Sequence, residues 1–324
     1  MAFDVSALSD YTEQNEALLV TRSLFGNKTA SVVTSDGNIM TGVKSSESVN
    51  LLATDAIFQT GGTCGFVSSG ATSFSQRILT VGKFKVNESL CPKTLETKYT
   101  QKALPKGSRY DSIAFAEEYS TLKAGVITEQ METAIWQGDT TSANVNLNKF
   151  DGFVKLIDNA GAAVAANATA YIGTPITTGT GITSANVRVI VGALIKALPA
   201  AIQGKNDVRI WCGWDFFSMF VDKLVNDNLY HYAPVGSESQ EENGEIQIPG
   251  TPYKLTAVHG LDGTNRVFAL RTSNMFIGTD LQNEEERWEL FFAKEADEVR
   301  FVSEWKYGVQ IAIPSEIVQF KLTA

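Results

Sequence analysis

The chain has 324 residues, 44% of them hydrophobic, and 27 basic against 36 acidic side chains leave a net charge of −9. Such a length buries a real core, in two domains or in one with large excursions. No run of about 18 apolar residues occurs, which argues against a membrane span, and the net acidity argues against a conventional nucleic-acid binder, which clusters Lys and Arg.

Residues 1–35 are polar and irregular and read as an arm, without the basic stretch and apolar core of a secretion signal. From Val43 to Leu52 a short element leads into a hairpin-like region in which 55–67 and 75–86 flank the turn-rich SSGAT (68–72). Val81, Lys83 and Lys85 alternate with Gly82, Phe84 and Val86 at a strand period. Two long strands alone are marginal in water and their open edges invite pairing.

The strongest helix spans 111–137, with Ser108 and Asp111 at its start and Gly138 at its end. Its length of about 40 Å is more than twice that of an average helix. One apolar stripe runs through Phe115, Tyr119, Leu122, Val126 and Trp136, and a second through Ala116, Ala124, Ile127, Met131 and Ala134. Two stripes predict a helix packed on both sides, and Gly125 within it predicts the close approach of another backbone. Beyond it, 156–187 reads as loops with short strands, 186–202 and 214–230 as helices, and 207–213 as a buried strand. Strands follow around 251–258 and 266–277, and in 300–313 Phe301, Trp305, Tyr307, Val309 and Ile311 share one face, before Val318, Phe320 and Leu322 alternate again.

Charge is unevenly placed: 77–109 carries 8 basic and 2 acidic residues, while 281–304 carries 3 and 8. Opposite segments of this kind suit copies of one chain that dock on each other, a contact that salt would weaken. Catalytic constellations are thin. The histidines are His231 and His259, no Cys or His pair has metal spacing, and the cysteines Cys64, Cys91 and Cys212 are far apart, as in reduced thiols. A Cys-dependent hydrolase would have to use Cys64 or Cys212 with His259. Glu284, Glu285, Glu286 and Glu289 read as a solvated face rather than a metal site, and Gly61, Gly62 and Gly65 as a turn rather than a phosphate cradle.

A long helix ending in AIWQGD (134–139) and followed by NKFDGF (148–153) resembles major capsid proteins of tailed phages with the Hong Kong 97 (HK97) fold, most closely those of crAss-like and related phages of Bacteroides-type hosts. GVKSSESVNLL (42–52), TCGF (63–66), QRILTV (76–81), SLCPKTLETKYTQ (89–101) and KYGVQIAIPSEIV (306–318) carry the same likeness. The resemblance implies an α+β fold: an arm and lead-in (1–53), an extended hairpin loop (54–90), a peripheral domain (91–147 and 266–324) built on the spine helix, and an axial domain (148–265). Trp136, Gln137, Gly138 and Asp139 would form the hinge between the last two. It further implies a structural protein without cofactor or enzymatic activity, which self-assembles into hexamers and pentamers around phage double-stranded DNA. The DNA would be contacted weakly and non-specifically, and a separate scaffold, a portal and decoration proteins would be partners. The location would be the virion capsid, after synthesis in the host bacterial cytoplasm. Candidate contacts between subunits are Arg77, Lys83, Lys85, Lys93 and Lys98 on one side and Glu284, Glu285, Glu286 and Glu289 on the other. No inter-subunit isopeptide bond is expected, since Lys83, Lys85 and Lys93 lack a matching Asn partner, and no large N-terminal piece is expected to be removed. Two other classes stand beside this one: a compartment shell of the same fold enclosing protein cargo, and a small Cys-dependent hydrolase or soluble binding module.

Overall fold

The structure, a computed structural model, describes residues 19, 23–36, 38–59, 68–90, 112–227, 244–280, 287–296 and 298–324. Its organising strand is the long β12 (Glu298–Ile311), whose alternation of Val299, Phe301, Trp305, Tyr307, Val309 and Ile311 puts one face into the core. One edge of β12 pairs in succession with β10 (Met275–Thr279) and β11 (Arg287–Ala293), and the other with β4 (Gly82–Leu90), all antiparallel. The short β1 (Ile39–Thr41) adds in parallel to β10 and completes a five-stranded sheet.

The long helix, α2 (Ser112–Gln137), lies on this sheet. Ala124, Ile127, Met131 and Ala134 are buried against it, as the second stripe predicts. The first stripe behaves differently. Leu122 and Val126 are 65% and 53% exposed, and nothing lies within 4 Å of where a Cβ on Gly125 would stand. The middle of α2 is therefore packed on one side only, whereas Trp136 at the end of the same stripe is buried, and the expected close approach at Gly125 is absent among the described residues.

A second, six-stranded sheet takes the order β5 (Val164–Ala165), β13 (Val318–Lys321), β9 (Arg266–Arg271), β6 (Val208–Cys212), β8 (Lys254–Ala257), β7 (Glu245–Gln247). It packs with helices α5 (Val187–Lys196) and α6 (Trp214–Asn226) around a core of its own that includes Ile190, Leu194, Ile210, Phe220, Leu255 and Phe320. The shorter α3 (Phe153–Ala160) and α4 (Thr169–Ile172) precede them. The boundaries implied by the resemblance do not follow the two sheets. β9 and β13 fall in the segment assigned to the peripheral domain, yet both pair within the second sheet, so the C-terminal residues are shared between the two sheets.

The hairpin also differs from the sequence reading. Its strands are β2 (Ser46–Thr54) and β3 (Thr72–Thr80), paired from Ser46 opposite Thr80 to Thr54 opposite Thr72. The outgoing strand thus lies in the segment assigned to the arm, and β4 belongs to the first sheet rather than to the hairpin. The alternation at 81–86 was real, but period alone does not say which strand is the partner. Two glycines let the hairpin root cross the sheet: a Cβ on Gly278 would run into Leu79, and one on Gly308 into the backbone of Thr80 and Val81. Val43, Val49, Leu79, Val81 and Ala312 form a small core at this crossing. It also buries the polar face of β12, where Gln310 Nε2 donates to the Ile78 carbonyl and Lys306 pairs with Asp280 at 3.0 Å.

Candidate assembly surfaces and the helix-end junction

Side chains alternate along each hairpin strand, so directly opposed residues share a face. Val49, Leu51 and Leu79 point to the subunit's own core. The opposite face carries Leu52 directly across from Phe74, with Ile78 further along, all exposed, and the loop beyond β2 adds Phe58 at 99% exposure. A face of this kind has no partner among the described residues of the chain. The second surface is a groove of about 300 Å³ between α2 and β4, lined by Phe84, Val126, Val145 and Trp305 and rimmed by Lys123 and Lys149.

The charged candidates fall out differently. Lys83 and Lys85 are exposed on β4, but Lys85 pairs at 2.6 Å with Glu304 of the same chain, which stands directly opposite it on β12. At this pair the basic strand meets part of the acidic 281–304 segment inside the same chain. Arg77 lies on the inward face of β3, opposite Val49, and is half-buried. Glu289 stands on β11 opposite Val302. Lys93, Lys98, Glu284, Glu285 and Glu286 lie outside the described residues, as do Cys64, Cys91 and His231.

At the end of α2 stand the residues that the sequence reading took for a hinge. Trp136 is fully buried, with ring centroids 5.4 Å from Phe153, 5.6 Å from Trp211 and 5.9 Å from Phe268, so it bridges α2, α3 and the second sheet. Gln137 Nε2 donates to the Gly260 carbonyl. Gly138 is required by crowding rather than by a left-handed turn: a Cβ there would sit 2.6 Å from the Ala134 carbonyl and 2.7 Å from that of Phe150. The polar run 139–151 is a closed excursion, since the Gly152 amide returns to the Gly138 carbonyl at 2.8 Å. Lys155 clamps its two ends, 2.6 Å from Asp139 and 2.9 Å from Asp151. Hydrogen bonds from Lys155 and Thr141 hold the Asp139 carboxyl down at about 2.

Sequence reasoning missed the buried contacts that tie the arm to this junction. Helix α1 (Lys28–Ser35) starts at Asn27, whose side chain accepts from the Ala30 amide. The next residue but one, Thr29, bonds the buried Glu132 of α2, and Trp136 Nε1 donates to the Thr29 hydroxyl at 2.8 Å. Glu132 lies among the buried stripe of α2, and a carboxylate there was the available signal. No cluster of metal-ligating side chains occurs among the described residues, and no described helix is long and apolar enough to cross a membrane. Burial pushes the Cys212 thiol well above its usual range, its Sγ donates to the Thr256 carbonyl, and His259 pairs with Asp262, so the geometry offers no Cys212–His259 dyad.

No protein-family model and no curated protein matches the sequence. Among solved structures the chain is similar to one from the satellite phage P4 procapsid that includes the size determination protein, with TM-score 0.59 and 14% identity over 95% of this chain and 90% of that one. A chain from the capsid of Ralstonia phage GP4 gives TM-score 0.56 and 11% identity over 100% and 93%. One from the capsid of a native GTA particle gives 0.55 and 12% over 90% and 91%. At such identities the likeness is one of fold, and it spans nearly the whole of each chain. The chain has the α+β, HK97-like fold of these capsid chains.

Proposed function

We propose that this chain is a major capsid protein of a tailed phage, a structural subunit that assembles with copies of itself into the closed shell around the phage's double-stranded DNA. The observation that carries this reading is the hairpin face of Leu52, Phe74 and Ile78 with Phe58 beyond it, apolar and uncovered in a single subunit. Isolated two-stranded hairpins are marginal and open apolar edges aggregate. A neighbouring copy that covers this face resolves both problems, and the capsid-type fold supports that choice of neighbour. On this reading the first sheet with α2 is the peripheral domain, the second sheet is the axial domain, and the Trp136–Asp139 segment is the hinge. Hexamers and pentamers, a scaffold, a portal and decoration proteins belong to the same proposal, as do synthesis in the host cytoplasm and the finer likeness to crAss-like phages, which the motifs named above support. DNA inside the shell meets an acidic chain and is held without base-specific contacts.

The test is direct. Electron microscopy of the expressed, purified chain should show closed particles of uniform size, and particles from the producing host should hold nuclease-protected duplex DNA. Protein cargo in place of DNA would favour the compartment-shell reading. A chain that stays monomeric at all concentrations overturns both.

A further inference from the structure

The excursion 139–151 and the root of the hairpin lie far apart in sequence, yet they meet backbone to backbone. A Cβ on Gly82, the first residue of β4, would collide with the Lys149 carbonyl. One on Gly308 of β12 would collide with the Thr80 carbonyl and stand 3.0 Å from the Val81 Cα. Residues 80–82, where β3 gives way to β4, are therefore held between the excursion and β12, with no side chain at either glycine to adjust the fit. The Val81 amide donates to the Ser45 carbonyl at 3.0 Å, which ties the start of the outgoing strand to the same place. Next to Lys149, Phe150 is buried between Phe84 of β4 and Tyr307 of β12, at ring-centroid distances of 5.8 and 6.0 Å. A pocket of about 210 Å³ opens beside the contact, lined by Ile78 and Thr80 of the hairpin and by Thr140, Lys149 and Asp151 of the excursion, so there is room for the two to part.

The other side of the excursion is fixed by α3. Lys155 bridges Asp139 and Asp151, and one Asp151 oxygen also accepts from the Thr140 amide and hydroxyl at 2.9 and 2.8 Å. The Asp139 amide donates to the Leu147 carbonyl at 2.8 Å, which draws the excursion closed. We propose that the excursion is a strut: the Lys155 clamp sets where the Lys149 carbonyl stands, and that carbonyl sets the pose of the hairpin root. Lys155 is then a positioning residue for a hairpin with which it shares no hydrogen bond or ion pair among the described residues. Close-packed backbone transmits a shift instead of absorbing it, and coupling between two places is reciprocal. A turn at the end of α2 accordingly redirects the exposed face of Leu52, Phe74 and Ile78.

The test is hydrogen exchange on the full-length chain, with Lys155→Ala to open the clamp and Lys155→Arg to keep its charge. The amides followed are Asp139, Leu147 and Gly152 in the excursion, 78–81 at the hairpin root, and the ladder between β6 and β9 as a reference for global opening. Lys155→Ala should speed exchange in the excursion and at the root together, on the order of fivefold, the scale on which partly exposed ion pairs act. The reference ladder should change less, and Lys155→Arg should stay near wild type. Faster exchange confined to the excursion overturns the strut, as does an equal change in the reference ladder or none in the excursion. Gly82→Ala reads the coupling in the opposite direction: the excursion amides should lose protection although the substitution lies in β4, and a loss confined to 78–82 overturns the proposal. Should Gly82→Ala fail to fold, Lys155→Ala decides alone. The readout is a single chain, so it does not depend on whether that chain forms a capsid.

Discussion

Gly125 within the long helix and Gly138 just past its end are the same residue type, thirteen positions apart, and the structure gives them opposite meanings. At Gly138 the neighbours of an added Cβ would be backbone carbonyls at 2.6 and 2.7 Å, which cannot step aside as a flexible side chain would. Gly138→Ala should therefore destabilise the subunit by about 1–3 kcal/mol, the usual scale of overpacking. At Gly125 the space is open, and replacing a mid-helix Gly by Ala is favourable by roughly 0.8–1 kcal/mol. Denaturant midpoints of the two variants as unassembled chains should move in opposite directions; a shift of the same sign in both would show that the junction is looser than described. Gly138 was legible in the sequence as a helix end, but the reason for the glycine was not. A C-terminal helix glycine suggests a left-handed turn, whereas the demand comes from Phe150 and Gly152, which return to the site only at the end of the thirteen-residue excursion 139–151.

Elements were easier to read than their partners. The long helix lies within a residue of its expected bounds because its apolar period and terminal Gly are local signals. The strand around 300–313 was equally plain, its inward face set by alternation. Pairing is not local. The residues of β4 were assigned to the hairpin when β12, more than two hundred positions away, is their partner, and the true outgoing strand, Ser46–Thr54, was taken as lead-in. With the pairing known, the hairpin's two faces make separate predictions. Phe74→Asp with Ile78→Asp changes only the exposed face, so circular dichroism and thermal unfolding of the subunit should stay near wild type, surface changes being usually within about 0.5 kcal/mol. Particle formation should be lost or misdirected, as judged by microscopy. Leu79→Ala on the inward face removes a fully buried side chain and should cost about 2–5 kcal/mol of subunit stability. If the exposed-face double variant assembles normally, the hairpin is not the inter-subunit element.

At the scale of the whole molecule, one basic–acidic pair is already made within the chain. Read from the sequence, a basic 77–109 and an acidic 281–304 looked complementary between copies, which makes assembly weaken with salt. In the folded chain Lys85 and Glu304 already face each other across β4 and β12 of one subunit. That exposed pair is worth only about 0–1 kcal/mol, and its partners are engaged. On the proposed reading, what each subunit brings to its neighbours is an apolar hairpin face together with a net charge of −9. Identical subunits of that charge repel, and the repulsion opposes association at low ionic strength. Screening shortens its range from about 30 Å at 0.01 M salt to about 3 Å at 1 M, while burial of apolar surface depends little on such screening. Light scattering of the purified chain should accordingly show assembly that accelerates as salt is raised from about 0.01 M to a few tenths molar. The Phe74→Asp, Ile78→Asp chain should gain little from the same change, because the attraction that screening unmasks is absent. Assembly that slows with salt in the wild type would restore charge complementarity as the driving contact and demote the hairpin face.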